Sequence, residues 1–180
     1  MKKMILVLVL AFMFVSCGGD DGTDTNETND SDDTSSDNTS GDKFPLENNG
    51  TKWSMPADTN MTVVNGAAYC DDLGGRLPSV SELRSLIKDW SKTMTGGECE
   101  VTDSCNSSQN CLDKALCNGS EDSFNGKYSV FGENTKGSFW SSTKDSYKPE
   151  TSHNWIVDFN NGGLESYYEG ADRGILCISK

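Results

Sequence analysis

Six cysteines constrain this chain more than any other feature: Cys70, Cys99, Cys105, Cys111, Cys117 and Cys177. An even set of this kind in an exported domain reads as three disulfides. Position narrows the pairing. Cys70 falls in a predicted helix near the start of the folded part and Cys177 in the last predicted strand, so a Cys70–Cys177 bridge ties the two ends together. The other four stand at equal steps in one polar segment and pair among themselves, in an order that their spacing leaves open. Zinc is the rival use of such residues. It favours a close Cys-x₂₋₄-Cys pair, and the steps here are longer than that.

Cross-links of this kind need an oxidising compartment, and the amino end offers the route. Lys2 and Lys3 precede an apolar run from Met4 to Val15, followed by Ser16-Cys17-Gly18. That is a charged n-region, an h-region and a small residue before a cleavage point. The run is short of the roughly 20 residues that span a bilayer. Phe14-Val15-Ser16-Cys17 resembles the lipobox of bacterial lipoproteins, with Phe14 where leucine is usual. The resemblance implies a signal peptide over residues 1–16. It also implies a lipid (palmitate among its chains) on Cys17, which becomes the new N-terminus. The membrane is then a partner through that lipid. The expected location is the cell envelope, in the outer membrane of a Gram-negative bacterium, because Gly18 gives no inner-membrane retention signal.

Residues 17–43 read as a tether. Gly18 to Asp42 holds nine acidic residues, no basic one, and no aliphatic or aromatic side chain. Nothing there offsets the entropy of ordering the backbone, so disorder is expected. As a coil of about 5–6 Å × √n the tract reaches a few nanometres. It also carries most of the charge. The net of −13 divides into +2 at Lys2 and Lys3, −9 in the tether and −6 over residues 43–180. A head of that sign lacks the clustered cations that nucleic acid requires.

The head, residues 44–180, is of a length for one domain. Phe44-Pro45-Leu46 and Trp53 begin it as an extended edge. Thr62 to Leu73 reads as a helix, with Val63, Ala67 and Cys70 inward and Leu73 or Val64 completing that face. Gly74-Gly75 stops it. After Arg76-Leu77-Pro78, Ser79 is an N-cap and Glu82 stands at the capping-box position. Val80, Leu83, Leu86, Ile87 and Trp90 form the stripe of a second helix. Gly96 to Gly126 is a long loop held by the four cysteines, with Leu112, Leu116 and Phe124 as its apolar anchors. Tyr128 to Phe131 reads as a short strand.

The stretch from Phe139 to Cys177 forms the sheet core. Phe139-Trp140-Ser141-Ser142-Thr143 opens it, and Trp155, Val157 and Phe159 share one side of a period-two strand. Asn160-Asn161-Gly162-Gly163 supplies a reversal. Leu164 to Tyr168 returns as a second strand, and Ile175-Leu176-Cys177-Ile178 ends the chain as a third.

Several of these segments together resemble one family. Arg76-Leu77-Pro78-Ser79-Val80-Ser81-Glu82-Leu83 is similar to the Arg-Leu-Pro-Thr-x-x-Glu-Leu signature of the bacterial DUF1566 family, which is related to the C-terminal domain of a Legionella collagen-like adhesin. Phe139 to Thr143 resembles its Tyr-Trp-Ser-Ser-Thr motif, Trp155 to Gly163 its Trp-x-Val-x-Phe-x-x-Gly hairpin, and Ile175 to Ile178 its terminal strand. The likeness covers roughly residues 51–178. It implies an α+β, C-type-lectin-like fold, in which two helices flank small twisted antiparallel sheets, here stapled by disulfides. Leu176 stands where arginine is common in the family, Val63 where tryptophan often sits, and the four-cysteine insert is not general.

Candidate chemistry is sparse. His153 with Ser141 or Ser142 and Asp158 could compose a triad, but no Gly-x-Ser-x-Gly elbow is present. The hydroxyls are better used on packed backbone. Glu98, Glu100, Asp103, Asp113, Glu121 and Asp122 crowd the long loop and are candidate oxygen ligands for Ca²⁺, the one cofactor considered. The Glu-Pro-Asn and Gln-Pro-Asp motifs through which lectins of this fold hold calcium and sugar are absent. The expectation is therefore a non-enzymatic, surface-tethered recognition or adhesion module for a glycan or an envelope or host protein. Trp155, Tyr167 and Tyr168 are its candidate contacts. A structural envelope lipoprotein is the alternative, and an exported enzyme the more remote one.

Overall fold

Asn49 and Gly50 set the first turn of the fold. Both have positive φ, 50° and 78°, the backbone of the two-residue turn whose twist matches that of its flanking strands. They join β1 (Leu46–Asn48) to β2 (Thr51–Trp53), paired with Asn48 opposite Thr51. The computed structural model describes residues 41–88, 99–119, 126 and 128–180. The signal segment, Cys17, the tether up to residue 40, Trp90 and Phe124 lie outside the described residues, as do Glu98, Glu121 and Asp122.

After β2 the chain forms α1 (Val63–Asp72), which starts where the Thr62 hydroxyl accepts from the Asn65 amide at 3.3 Å. Its buried face is Val63, Gly66 and Cys70, and Ala67 points outward. This corrects the expected register of the inner face, and the reason is steric. Ile175 lies so close over Gly66 that any side chain there would collide with it. β3 (Gly75–Arg76) follows, then α2 (Val80–Arg84), capped by Ser79 and Glu82 in a full capping box. The second helix is shorter than its apolar stripe suggested. Leu86 and Ile87 are buried as expected, and their amides donate to the Leu83 and Arg84 carbonyls at 3.0 Å, but the helix goes no further: Val130 donates to the Leu86 carbonyl at 2.8 Å, and Ile87 bridges Ser129. The expected strand at 128–131 is reduced to that bridge.

Besides two short 3-10 helices, Gly132–Thr135 and Pro149–Thr151, the remaining described elements are one helical turn, α3 (Lys114–Cys117), then β4 (Ser138–Lys144), β5 (His153–Asp158), β6 (Gly163–Tyr168) and β7 (Ile178–Ser179). They complete two small antiparallel sheets, of order β1-β2-β7-β3 and β4-β5-β6. Among the described residues the head is thus α+β, with two helices, the single turn of α3 and three disulfides. The expected hairpin is present, with Val157 opposite Leu164 and Asp158 opposite Gly163. The last segment is not the third strand of that sheet; β4 is. Ile178 instead pairs with Trp53 and Arg76, so the final strand closes the sheet begun by the first hairpin.

The three-stranded sheet is covered on both faces. Phe139, Val157 and Leu164 lie in register on one face with Trp155 and pack with Val80, Leu83, Val101 and Leu176. Trp140 and Ile156 lie on the other face, with Val63, Cys70, Ile175 and Cys177. The segment before β7 threads between these cores. Leu176 joins one, while Ile175 and Cys177 join the other. The disulfides are Cys70–Cys177, Cys99–Cys117 and Cys105–Cys111. The first is the end-to-end bridge expected from position; the other two are nested.

Candidate functional site

The motifs around Pro78 and Ser142 interlock at the start of α2. The Ser142 amide and hydroxyl both donate to the Pro78 carbonyl, at 2.7 and 3.1 Å. The Val80 amide donates to the Thr143 hydroxyl at 2.9 Å. Arg76 meets Glu82 through two parallel hydrogen bonds, 2.8 and 2.6 Å, the bidentate geometry that planar guanidinium favours. The Arg76 hydrogen bond holds the Glu82 carboxyl below its ordinary pKa against the opposing effect of burial, and the Ser79 amide adds to it. Glu82 therefore has both jobs, cap and charge partner.

Asp103 belongs to this junction. Its carboxylate accepts from the Ser79 hydroxyl at 2.8 Å, the Thr143 hydroxyl at 3.0 Å and the Ser81 amide at 3.3 Å, and its own amide donates to the Ser81 hydroxyl at 3.0 Å. It pins the cysteine insert to the amino end of α2. Arg84 does the same from the other side. Its buried guanidinium donates to the Cys99 carbonyl at 3.0 Å and to the Val101 carbonyl. Neither role was foreseen. Arg84 carried a signal, since it falls four residues after Val80, on the inner face of the helix.

Of the candidate calcium ligands, Glu100 and Asp113 line one open cleft with Asn110, while Asp103 is engaged as above. Among the described residues no three acidic, histidine or cysteine side chains converge as a metal site. The possible triad residues are dispersed by their partners. The buried Ser141 hydroxyl donates to the Trp155 carbonyl at 2.8 Å, Ser142 to Pro78, and Asp158 accepts from the Asn160 amide at 2.8 Å. His153 Nδ1 lies 2.9 Å from the Thr151 carbonyl. Asp145 is a buried carboxylate that the sequence did not single out. Burial opposes its ionisation, but hydrogen bonds from Ser108, Ser166 and the Tyr147 amide outweigh that and leave its pKa lowered.

The three aromatic candidates part company. Trp155 is fully buried and donates from its indole to the Asn106 carbonyl at 2.9 Å. It is a core residue holding down the insert, and its candidacy as a surface contact is withdrawn. Tyr167 and Tyr168 are 37% and 57% exposed on β6, the edge of its sheet. Arg173 lies over the Tyr167 ring, 4.0 Å from its centroid, and Tyr168 meets His153 edge-on. Between α1 and the sheet lies an open cleft of about 420 Å³ lined by Val63, Val64, Ala67, Leu77, Lys144 and Asn154, among others but by neither tyrosine. No protein-family model matches this chain, and no curated protein or solved structure matches it either.

Proposed function

We propose that this chain is a lipid-anchored, surface-tethered recognition or adhesion lipoprotein of the DUF1566 family, with a C-type-lectin-like head that binds a glycan or a protein without chemistry. The observation that carries the reading is the aromatic edge. Trp53, Trp140, Trp155 and Phe159 are all buried, yet Tyr167 and Tyr168 stand exposed in succession on an edge strand, one towards each face of the sheet. An aromatic held on a rigid strand stacks on a sugar or anchors a protein at low entropic cost.

Support for the family assignment comes from the way its two best motifs meet, Pro78 with Ser142 and Val80 with Thr143. The lectin-like arrangement is favoured by the pairing of the head's first hairpin with its last strand, by two flanking helices and by the Cys70–Cys177 bridge. The lipobox-like segment and acidic tract of the sequence supply the anchor and spacer, and disulfides suit an oxidising exterior.

The test is a glycan array together with a pull-down against envelope and host proteins, using the full chain. A specific ligand is expected, with retention abolished in a Tyr167→Ser/Tyr168→Ser variant that keeps its melting temperature. A wild-type chain that retains nothing overturns recognition and leaves the structural envelope role.

A further inference from the structure

The cleft between α1 and the sheet is lined by a residue whose side-chain oxygen has almost no exposed surface and is left unserved by the protein itself. Asn154 is 3% exposed and lines the cleft. Its amide nitrogen donates to the Ser141 carbonyl at 3.1 Å, which fixes the orientation of the side chain. Its carbonyl oxygen, Oδ1, has no hydrogen-bond partner. A buried acceptor left in that state costs about 1–3 kcal/mol, a penalty that a donor entering from the cleft would remove.

The surroundings narrow what that donor can belong to. The cleft's volume of about 420 Å³ falls within the roughly 300–1,000 Å³ of small-molecule sites. Two other clefts are as large, but they are lined by mixed polar and charged groups. Here Val63, Val64, Ala67 and Leu77 present aliphatic surface, and Val64 is 64% exposed at the rim. The charges offer no net attraction for an ion. Arg76 is paired with Glu82 and Lys180 with Asp71, while Lys144 and Glu169 oppose each other in sign. Strand register sets Lys144, Asn154 and Tyr167 in one row across the three strands. Residues paired in this way project to the same face, so an exposed aromatic side chain stands on the face that carries the buried acceptor.

We propose that this cleft binds an uncharged acetamido sugar, its amide N–H donated to Asn154 Oδ1, its methyl group against Val63 and Ala67, and its ring on the side of Tyr167. An acetamido group combines a single donor with a small apolar cap, which is the pairing the cleft presents. A plain hexose offers the donors without the cap. Exposed Lys144, directly across the strands from Asn154, is the flexible side chain that moves to admit the ligand. The assignment rests on the recognition reading above and specifies its site and ligand class.

The experiment is an NMR titration of the full chain with N-acetylglucosamine, with glucose as the comparison. Saturable shifts are expected at the Asn154 side-chain amide and at the Val64 and Ala67 backbone amides with N-acetylglucosamine only. A Val64→Lys variant, at an exposed position that leaves the fold intact, should weaken that binding by about tenfold or more. Absence of saturable shifts, equal shifts with glucose, or binding indifferent to Val64→Lys each overturns the assignment. A ligand found by array or pull-down while these shifts stay absent removes the acetamido cleft and leaves the recognition reading in place. Loss of both removes both.

Discussion

Replacing both Cys70 and Cys177 with alanine tests the staple that spans the head. The bridge closes 107 residues, against 18 for Cys99–Cys117 and 6 for Cys105–Cys111. In the chain-entropy account the three closures restrict the unfolded chain by about 4.8, 3.2 and 2.2 kcal/mol respectively. Nesting lowers the middle value further, because the inner bridge already shortens the loop that the outer one closes. Burial works the other way for the long bridge. Cys70 and Cys177 have no exposed surface and pack with Val63, Trp140 and Ile175, so alanine also leaves a cavity there. Against a total stability of about 5–15 kcal/mol, the Cys70→Ala/Cys177→Ala loss is close to the whole. Urea unfolding of the three double variants, with midpoints and slopes fitted separately, should rank the long bridge first and the innermost last. A long-bridge loss below about 2 kcal/mol, or a larger one from Cys99→Ala/Cys117→Ala, would refute the closure argument.

Three further outcomes follow from single contacts. Gly66→Ala should destabilise by about 1–3 kcal/mol through overpacking against Ile175, despite the better helix propensity of alanine, and Ile175→Val should recover part of that loss in a double-mutant cycle measured by thermal melting. Glu82→Gln removes a carboxylate whose pKa is lowered by Arg76. The stabilisation from that shift is complete above the ordinary value of 4.5 and disappears as pH falls through the lowered folded value. The gap in melting temperature between wild type and Glu82→Gln should therefore narrow below about pH 4.5 and stay constant at neutral pH. Asp103→Ala strips the Ser79, Ser81 and Thr143 partners at the start of α2 and should cost about 1–2 kcal/mol; faster hydrogen exchange at the Ser81 amide is the local readout, and an unchanged rate contradicts the role given to Asp103.

What could be read in advance was what depends on neighbours in the chain. Ser79 and Glu82 announce a helix start because both partners of a capping box lie within one turn. The hairpin around Asn160-Asn161-Gly162 is equally local. Asn49-Gly50 carries a signal of the same strength for β1 and β2. Relations between residues distant in the chain are not legible in this way. The inner face of α1 turns on how closely Ile175 approaches Gly66, a contact between residues far apart in sequence. The apolar stripe of Leu86 and Ile87 is correct about burial and silent about whether the carbonyl of Leu86 continues the helix or accepts from Val130. The order of the inner cysteines likewise depends on where Arg84 and Val101 hold the insert, which equal spacing does not encode. At the candidate site, Tyr167 and Tyr168 were legible as adjacent strand aromatics, of which one at least had to face solvent. Asn154 was not legible, since a missing partner is a property of the assembled fold.

The proposed tether and the staples meet in one measurement, the intact and peptide-mapped mass of the protein extracted from its native cells without reduction. The expected result is a chain beginning at an acylated Cys17, with Cys70–Cys177, Cys99–Cys117 and Cys105–Cys111 as its bridges. A chain that retains Met1, or one in which those six thiols are free to react, contradicts the account of a stapled head held on a lipid anchor.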